Sequence, residues 1–442
     1  MRRTSSDKEG LRGKGVEFWE AFRFWVKLGF INFGGPAGQI AIMHRELVER
    51  KRWVSEGQFL RTLNFCMLLP GPEAQQVATY IGWRLHGTLG GVVAGSFFVI
   101  PSIFVLLLLS YLSVAYSNVP AITGLLYGVQ PVVIAIVVEA VLRIGKRTLY
   151  HSALVAFAIL AFVALYFLSV PFPVVVAAAA MAGVLMRRLL PGAFSTREPG
   201  PSDSDGEEAD LEEAPSGEHP SIGRNLRLLG LFLMLWAVPV GAVLWWRGGE
   251  DVLFREALFF TGAAFVTFGG AYSVLSYIAD VAVNQYGWLT VDQMVQGLGL
   301  AEATPGPLIM VTQYVGFLGA WNYSGSFDPL LYGVLGAAIT TYTTFLPCFL
   351  FIFLLAPYIE LLANNDRLQA ALTGVTAAVV GVIANLAAFF ASRVLFPEGL
   401  ASLDIFALVV AVISFVALQR FKIPIYMMVP TGALAGMVWT LL

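Results

Sequence analysis

The sequence predicts an all-α protein that crosses a membrane several times. Hydrophobic residues make up 57% of the 442 residues, charged residues make up only 13%, and the mean hydropathy is +0.74. An average soluble domain is far less apolar. A helix needs roughly 20 residues to cross a bilayer. Apolar runs of about this length or longer include Gly87–Ala115, Ala121–Leu142 and Ser152–Val170. Because these runs do not alternate apolar with polar residues, they indicate helices and not barrel strands.

The N-terminal segment and the cysteines predict no special chemistry. Residues 1–20 are polar and basic without the apolar core of a removable signal, which predicts a cytoplasmic segment. Cys66 and Cys348 lie in apolar surroundings without CxxC spacing, so we expect small packing residues. The sequence predicts a lipid bilayer as partner, and it predicts no cofactor, metal or nucleic acid.

A polar linker divides the chain into two membrane halves. Between Arg187 and Arg227 the hydrophobicity collapses, and Ser195–Pro220 is rich in Pro, Ser, Gly and acidic residues, as in a disordered tether. An acidic tether that recruits a basic partner is the alternative. The predicted units are a first repeat at 21–190, the linker at 191–226, an extra transmembrane helix at 227–250 and a second repeat at 251–442.

The two halves repeat each other at one constant spacing of 235 residues. The matching motifs are Phe33-Gly34-Gly35 with Phe268-Gly269-Gly270, Trp53 with Trp288, and Pro70-Gly71-Pro72 with Pro305-Gly306-Pro307. Beyond an insertion near Trp321 to Asp328, the match continues as Pro101 with Pro347 and Gly128 with Gly374. Internal repeats interrupted by Gly and Pro at matching positions are typical of secondary transporters.

The distribution of Lys and Arg predicts that the repeats are inverted. Residues 44–61 contain Arg45, Arg50, Lys51, Arg52 and Arg61, whereas the equivalent residues 279–296 contain no Lys or Arg. Positive loops face the cytoplasm, so the first segment is predicted inside and the second outside. One unpaired span, Leu228–Trp246, would produce this inversion.

Two positions in each half interrupt the helical pattern. They are Asn32–Pro36 with Thr267–Gly270, and Leu69–Pro72 with Thr304–Pro307. Such a break exposes the unpaired N–H groups and positive dipole end of the next half-helix, which suit an anion. Four converging half-helices would bind an anion without burying full positive charges, which are costly in lipid. In the alternative interpretation, the glycines only allow close packing and the prolines only kink helices.

Side chains beside the breaks are further candidates. Amides and hydroxyls that flank them can bind an oxyanion, although polar residues in membrane helices also bond neighbouring helices. Lys27, two turns before Gly34, can draw anions from the cytoplasm, or it snorkels to the headgroups. The predicted substrate-binding residues are Lys27, Asn32, Phe33, Gly34, Gly35, Pro36, Gln39, Pro70, Gly71, Pro72, Gln75, Gln76, Gly269, Gly270, Thr304, Pro305, Gly306, Pro307 and Gln313.

Charged residues near the breaks are candidates for coupling or for attracting the anion. Glu73 follows Pro70 by three residues and Glu302 precedes Pro305 by three, so each carboxyl borders a break and can carry a proton. Alternatively, Glu73 only complements the dipole of its own helix. Arg23 and Arg45 are candidates for drawing anions toward the site; Arg45 is also a topology determinant.

The motifs resemble those of a known family. The segments FGGPAGQIAIMHRELVERKRW and LLPGPEAQQVATYIGW, with a second FGG and TPGP, closely resemble two-domain, long-chain members of the chromate ion transporter family. The resemblance implies efflux of chromate from the bacterial cytoplasm and points to Phe33–Pro36 and Pro70–Pro72, with Lys27 before them. The second half departs by having Ala271 in place of Pro36 and by lacking the basic loop.

We therefore expect a multi-pass transporter in the bacterial inner membrane that exports chromate by alternating access, driven by the membrane potential, a proton gradient or both. Sulfate, molybdate or another tetrahedral oxyanion is the alternative cargo. A membrane enzyme acting on lipid phosphate is a remote alternative, because the four histidines lack metal-binding spacing. A homodimer is left open.

Overall fold

The structure is a computed structural model that describes residues 16–190, 192, 221–363, 365–399 and 401–442. Within these ranges the regular structure is helical and no strand is present, which confirms the predicted all-α fold. Most of the predicted N-terminal segment at 1–20 and of the predicted linker at 191–226 lies outside the described residues.

The helices of the first half alternate between long apolar segments and short segments next to the breaks. A π-helical segment, Arg45–Arg50, directly follows the second helix. In the described residues the helices are α1 (Phe18–Ile31), α2 (Gly35–His44), α3 (Glu56–Met67), α4 (Glu73–Phe97), α5 (Ile100–Ala115), α6 (Pro120–Thr148), α7 (Ser152–Tyr166) and α8 (Phe172–Leu189).

The second half begins after one additional helix, α9 (Ile222–Arg247). It also contains a π-helical segment, Asp280–Gln285, and short 3₁₀ helices at Leu308–Met310 and Ala356–Tyr358. Its described α-helices are α10 (Val252–Val266), α11 (Ala271–Ala279), α12 (Val291–Ala303), α13 (Val311–Asn322), α14 (Pro329–Leu355), α15 (Ile359–Ala363), α16 (Asp366–Val394), α17 (Ile405–Arg420) and α18 (Ile425–Leu441).

The repeat extends to local geometry that the motifs do not reveal. The two π-helical segments, Arg45–Arg50 and Asp280–Gln285, lie at the same spacing as the motifs. The helices that follow them both begin with a reciprocal capping box, Ser55 with Gln58 in α3 and Thr290 with Gln293 in α12. Each cap satisfies backbone groups that a helix start leaves unpaired. The two halves therefore share one local architecture up to the second break.

Six helical segments in the described ranges are long and apolar enough to cross a bilayer. One is the nearly continuous pair α4 and α5, and the others are α6, α8, α9, the stretch Pro329–Tyr358 and α16. The predicted run Gly87–Ala115 is not a single helix, because α4 ends at Phe97 and α5 begins at Ile100. Helix α4 is also kinked at His86 and Gly87, where the glycine has φ +61°.

The predicted extra span, Leu228–Trp246, lies within α9. This helix packs against α14 and α10 and is the least buried of the six segments. Its apolar side chains require a lipid environment, since little protein covers them.

The two halves interlock through exchanged helix contacts. Helix α6 of the first half packs against α17 and α18 of the second, while α16 of the second packs against α7 and α8 of the first. Glycines allow these approaches: a Cβ on Gly128 would lie 2.8 Å from Gly436 Cα, and a Cβ on Gly374 would lie 3.1 Å from Gly183 Cα. Small residues of this kind let membrane helices meet backbone to backbone. Because Gly128 of α6 is equivalent to Gly374 of α16, the two halves exchange equivalent contacts.

Candidate functional site

The first break in each half depends on a glycine pair in left-handed backbone conformations. Helix α1 ends at Ile31 and α2 begins at Gly35, with φ +92° at Gly34 and +66° at Gly35. In the second half, Gly269 and Gly270 have φ +74° and +91° between α10 and α11. Only glycine adopts such angles without steric cost. Neither α2 nor α11 has a side-chain cap at its start, so no side chain occupies the first N–H groups as a cap.

The second break in each half is formed by the PGP motif. Its central glycine has φ +124° at Gly71 and +120° at Gly306. Pro72 directly precedes α4, where its missing N–H costs nothing because the first helical N–H groups have no partner in the helix.

Reciprocal hydrogen bonds join the breaks across the repeat boundary. The Gly71 N–H donates to the Thr267 carbonyl over 2.8 Å, and the Gly306 N–H donates to the Asn32 carbonyl over 2.8 Å. Gly71 is equivalent to Gly306, and Asn32 to Thr267. The FGG break of each half is thus bound to the PGP break of the other, so the four breaks form two pairs, both of which lie between the halves.

Three predicted amides hold main-chain carbonyls in this region. Gln39 Nε2 donates to the Gly306 carbonyl over 2.5 Å, and Gln76 Nε2 donates to the Pro70 carbonyl over 2.7 Å. Gln313 Nε2 donates to the carbonyl of Ile103 over 2.8 Å. These hydrogen bonds tie the two halves together or fix the bend of a single break.

Two other predicted amides are free. The side chains of Asn32 and Gln75 are completely buried, and none of their amide atoms has a hydrogen-bond partner among the described residues. An unsatisfied buried polar group costs about 1–3 kcal/mol, so a native protein retains one for a reason. Both amides can donate to an oxyanion.

Both predicted carboxyls lie at the start of a half-helix of the opposite half. A Cβ on Gly35, the first residue of α2, would lie 4.0 Å from Glu302 Oε2. A Cβ on Gly270, just before α11, would lie 3.7 Å from Glu73 Oε1. Glu302 Oε1 accepts a hydrogen bond from the Tyr272 hydroxyl, whereas Glu302 Oε2 has no partner among the described residues.

The structure shows no direct bond between the predicted cations and this cluster among the described residues. Lys27, Arg23 and Arg45 are exposed on their helices, and in the part of the chain that the structure describes no hydrogen bond or ion pair joins them to the breaks. The charges that act on the two carboxyls come from α6: Arg143 on Glu302 and Arg147 on Glu73.

The remaining predicted residues shape the backbone of the site. Phe33 packs on Tyr426 with ring centroids 5.6 Å apart, and Gly269 packs on Val379. The Thr304 hydroxyl donates to the Ala301 carbonyl over 2.9 Å at the end of α12. Pro36 lies in the first turn of α2. In the two PGP motifs, Pro70 and Pro72 flank Gly71, and Pro305 and Pro307 flank Gly306.

Sequence reasoning missed several residues that line the breaks. Besides Tyr272, these are Ser102 and Cys348. A Cβ on Gly71 would lie 3.0 Å from Cys348 Sγ, and a Cβ on Gly306 would lie 2.8 Å from Ser102 Cβ. The match of Pro101 with Pro347 already makes Ser102 and Cys348 equivalent, so it was the signal that could have found them. On α6, Glu139 and Arg143 form an ion pair at 3.4 Å, and the charge of Arg143 also acts on Glu302.

Comparisons with known proteins cover both halves. The sequence pattern of the family described as Chromate transporter matches residues 19–184 and 254–437. The chain is 30% identical over 430 residues to the chromate transport protein of Pseudomonas aeruginosa, which covers 95% of this chain and 92% of that protein. It is 28% identical over 418 residues to the probable chromate transport protein of Synechococcus elongatus, with 94% of each chain covered.

A third relative is the chromate transport protein of Cupriavidus metallidurans, which is 27% identical over 418 residues, covering 94% of this chain and 91% of that protein. No solved structure is significantly similar to the chain. Because the matches extend over both repeats and nearly the whole length, the chain belongs to the chromate transporter family.

Proposed function

We propose that this protein exports chromate, or an oxyanion of the same shape and charge, from the bacterial cytoplasm across the inner membrane. The observation that carries the proposal is the reciprocal pair of hydrogen bonds, Gly71 to Thr267 and Gly306 to Asn32, which binds the FGG break of each repeat to the PGP break of the other. Transport proteins with internal repeats bind substrate at such an interface, where discontinuous helices meet. Membership of the chromate transporter family supports the cargo.

The substrate site consists of backbone and neutral donors. The uncapped starts of α2 and α11 supply N–H groups and positive dipole ends. Asn32 and Gln75 supply unpaired amides. A dianion bound by such groups needs no buried Lys or Arg in contact with it. Lys27, Arg23 and Arg45 attract anions toward the membrane from the cytoplasmic side.

The repeats have inverted topology and rock about this region, opening in turn to each side. Support comes from the five basic residues between positions 44 and 61, from their absence between positions 279 and 296, and from the single additional helix α9. The exchanged contacts of α6 and α16 provide a common pivot for both halves.

The membrane potential is sufficient to drive export. With a negative interior, moving one negative charge outward releases about 2.3 kcal/mol per 100 mV, so a dianion releases about 4.6 kcal/mol. That energy supports a concentration ratio of about three decades. Proton coupling through Glu73 or Glu302 is compatible with this driving force.

Chromate uptake into everted membrane vesicles tests the proposal. We expect saturable uptake that requires an imposed potential, positive inside the everted vesicle, and that continues without a pH gradient. Sulfate and molybdate, added as competitors, identify the preferred anion. Uptake that equals the uptake of vesicles lacking the protein contradicts the proposed export, whereas uptake that does not depend on the potential contradicts only the potential as its driving force.

A further inference from the structure

Glu73 and Glu302 lie beside equivalent breaks, although they occupy non-equivalent positions in the two repeats. At the repeat spacing Glu302 corresponds to Met67, and Glu73 corresponds to Leu308. Nevertheless, each carboxyl faces the FGG glycines of the opposite half, Glu302 at Gly35 and Glu73 at Gly270. The repeat therefore does not account for the symmetry.

Ordinary helix electrostatics does not account for Glu302. It is the penultimate residue of α12, where the negative end of the helix dipole disfavours a carboxylate. It is only 3% exposed, and its Oε2 has no partner among the described residues. The uncapped start of α2, a helix of ten residues, lies next to this oxygen, since a Cβ on Gly35 would be 4.0 Å from it. This start is also a place where an oxyanion can bind.

Glu73 repeats this arrangement on the other side. It is the first residue of α4 and so can complement the dipole of its own helix, yet its carboxyl also lies beside Gly270 at the start of α11. That start likewise has no side-chain cap. A carboxylate and an oxyanion cannot both occupy one helix start, because like charges at such distances repel strongly in a region of low dielectric constant.

The surroundings of Glu302 contain few other charges. Tyr272 of α11 donates to it, and the charges of Arg143 and Glu139 on α6 act on it. The other packed helices α5, α13 and α18 contain no Asp, Glu, Lys or Arg, and the charges of α16 lie only at its ends.

The surroundings of Glu73 are similar. Its charge acts on Cys66 of α3, and the charge of Arg147 on α6 acts on it. Helices α5 and α14, which also pack against α4, contain no Asp, Glu, Lys or Arg, while α2 has only His44 at its end. The remaining charges on the packed helices are Glu20, Arg23 and Lys27 of α1 and Glu56 and Arg61 of α3.

We propose that Glu73 and Glu302 are internal competitors of the transported oxyanion. When it is ionised, each carboxylate blocks a half-helix start that would otherwise bind oxygen atoms of the oxyanion. When the carboxyl has taken up a proton, the oxyanion binds there instead. The inference rests on the proposed function. Its consequence is that oxyanion binding is linked to uptake of protons, at most one for each glutamate.

Binding of labelled chromate and labelled sulfate to the purified full-length protein, measured by equilibrium dialysis, tests this linkage. The pH range is one in which both anions remain dianions. For the wild type we expect affinity to fall as pH rises through the titration of the carboxyls, by up to about tenfold per pH unit for each linked proton. Glu73→Gln and Glu302→Gln each remove part of this slope and bind more tightly at high pH, and the double variant has a flat profile.

Glu256→Gln is the matched control. Glu256 is as deeply buried as Glu302, and both of its carboxyl oxygens lack partners among the described residues. It lies on α10 beside Gly319, away from the breaks, so we expect the wild-type slope. As a second measurement on the unaltered protein, a pH indicator in weak buffer records proton uptake when chromate is added.

The outcomes separate this inference from the proposed function. Saturable binding by the wild type, combined with an unchanged slope in the double variant or no proton uptake by the wild type, overturns the competition and leaves the proposed function intact. Weaker binding by both glutamine variants at every pH also overturns it, because it makes the carboxyls aids to binding. No saturable oxyanion binding by the wild type overturns both.

Discussion

At the scale of single residues, adjacent glutamines on α4 have different roles. Gln75 and Gln76 are both fully buried. Gln76 Nε2 holds the Pro70 carbonyl at 2.7 Å, whereas neither amide atom of Gln75 has a hydrogen-bond partner among the described residues. One amide therefore supports the break, and the other is available to a ligand.

This difference predicts opposite effects of two neighbouring substitutions. Gln76→Leu leaves the Pro70 carbonyl unsatisfied and should lower stability by about 1–3 kcal/mol. Gln75→Leu removes a group that already lacks partners, so stability should be unchanged or higher while chromate uptake is lost. Thermal denaturation of the purified variants and vesicle uptake measure the two effects. Normal uptake by Gln75→Leu would remove this side chain from the site.

The FGG glycines give a second prediction at this scale. Gly35 has φ +66°, so Gly35→Ala should lower the free energy of unfolding by about 1–2 kcal/mol, whereas Gly262→Ala, on the open face of α10, should raise it by up to about 1 kcal/mol.

Gly35→Asp brings a second carboxylate next to Glu302, and we expect this variant to insert at normal abundance and lose uptake. Wild-type uptake by Gly35→Asp would show that no anion binds at the start of α2.

At the scale of helices, the glycine contacts of α6 and α16 hold the two halves together. On α6, the position of a Gly128 Cβ is 2.8 Å from Gly436 Cα, whereas nothing lies within 4 Å of the corresponding position at Gly230 on α9. A long side chain at Gly128 must separate two backbones, but one at Gly230 meets only lipid.

We therefore expect Gly128→Leu to destabilise the protein by at least about 1–3 kcal/mol, the usual cost of overpacking. Gly374→Leu should destabilise the protein to a similar extent, because it disrupts the contact between α8 and α16. Gly230→Leu should leave stability unchanged. Protein abundance in the membrane and the temperature of aggregation in detergent report the effect. Equal abundance of Gly128→Leu and Gly230→Leu would mean that the α6 and α18 contact does not limit stability.

At the scale of the whole molecule, the interlocked halves predict mutual dependence. Helix α6 is covered by α17 and α18, and α16 is covered by α7 and α8, so neither half alone buries its own small-residue faces. Residues 1–220 and 221–442, produced as separate chains, should each be degraded alone and should restore uptake together. Stable accumulation of one half alone would contradict this dependence.

Inverted topology is the second prediction at this scale. Lys51→Cys should react with a membrane-impermeant thiol reagent from the cytoplasmic side only, and Tyr286→Cys from the outside only. Cys66 and Cys348 are buried and should give little background. Reaction of both introduced cysteines from the same side would replace the inverted arrangement with a parallel one.

Local chemistry allowed much of the molecule to be predicted from its sequence. Spans follow from apolar length, and breaks follow from the inability of Gly pairs and PGP to continue a helix. The repeat follows from motif spacing, and the extra span Leu228–Trp246 lies within α9. Among the described residues, Lys27, Arg23 and Arg45 form no hydrogen bond or ion pair with the breaks, because helix position alone does not specify which face meets the other half.

The sequence by itself determined the fold class, the two repeats, the four break positions and the family resemblance, since each depends on composition or on neighbouring residues. Only the tertiary structure decided which break meets which, that Gln39 holds a carbonyl 267 residues away, and that Glu73 and Glu302 face opposite half-helix starts. These contacts join residues from different repeats, and they depend on how two already formed sets of helices pack. No local pattern encodes that packing.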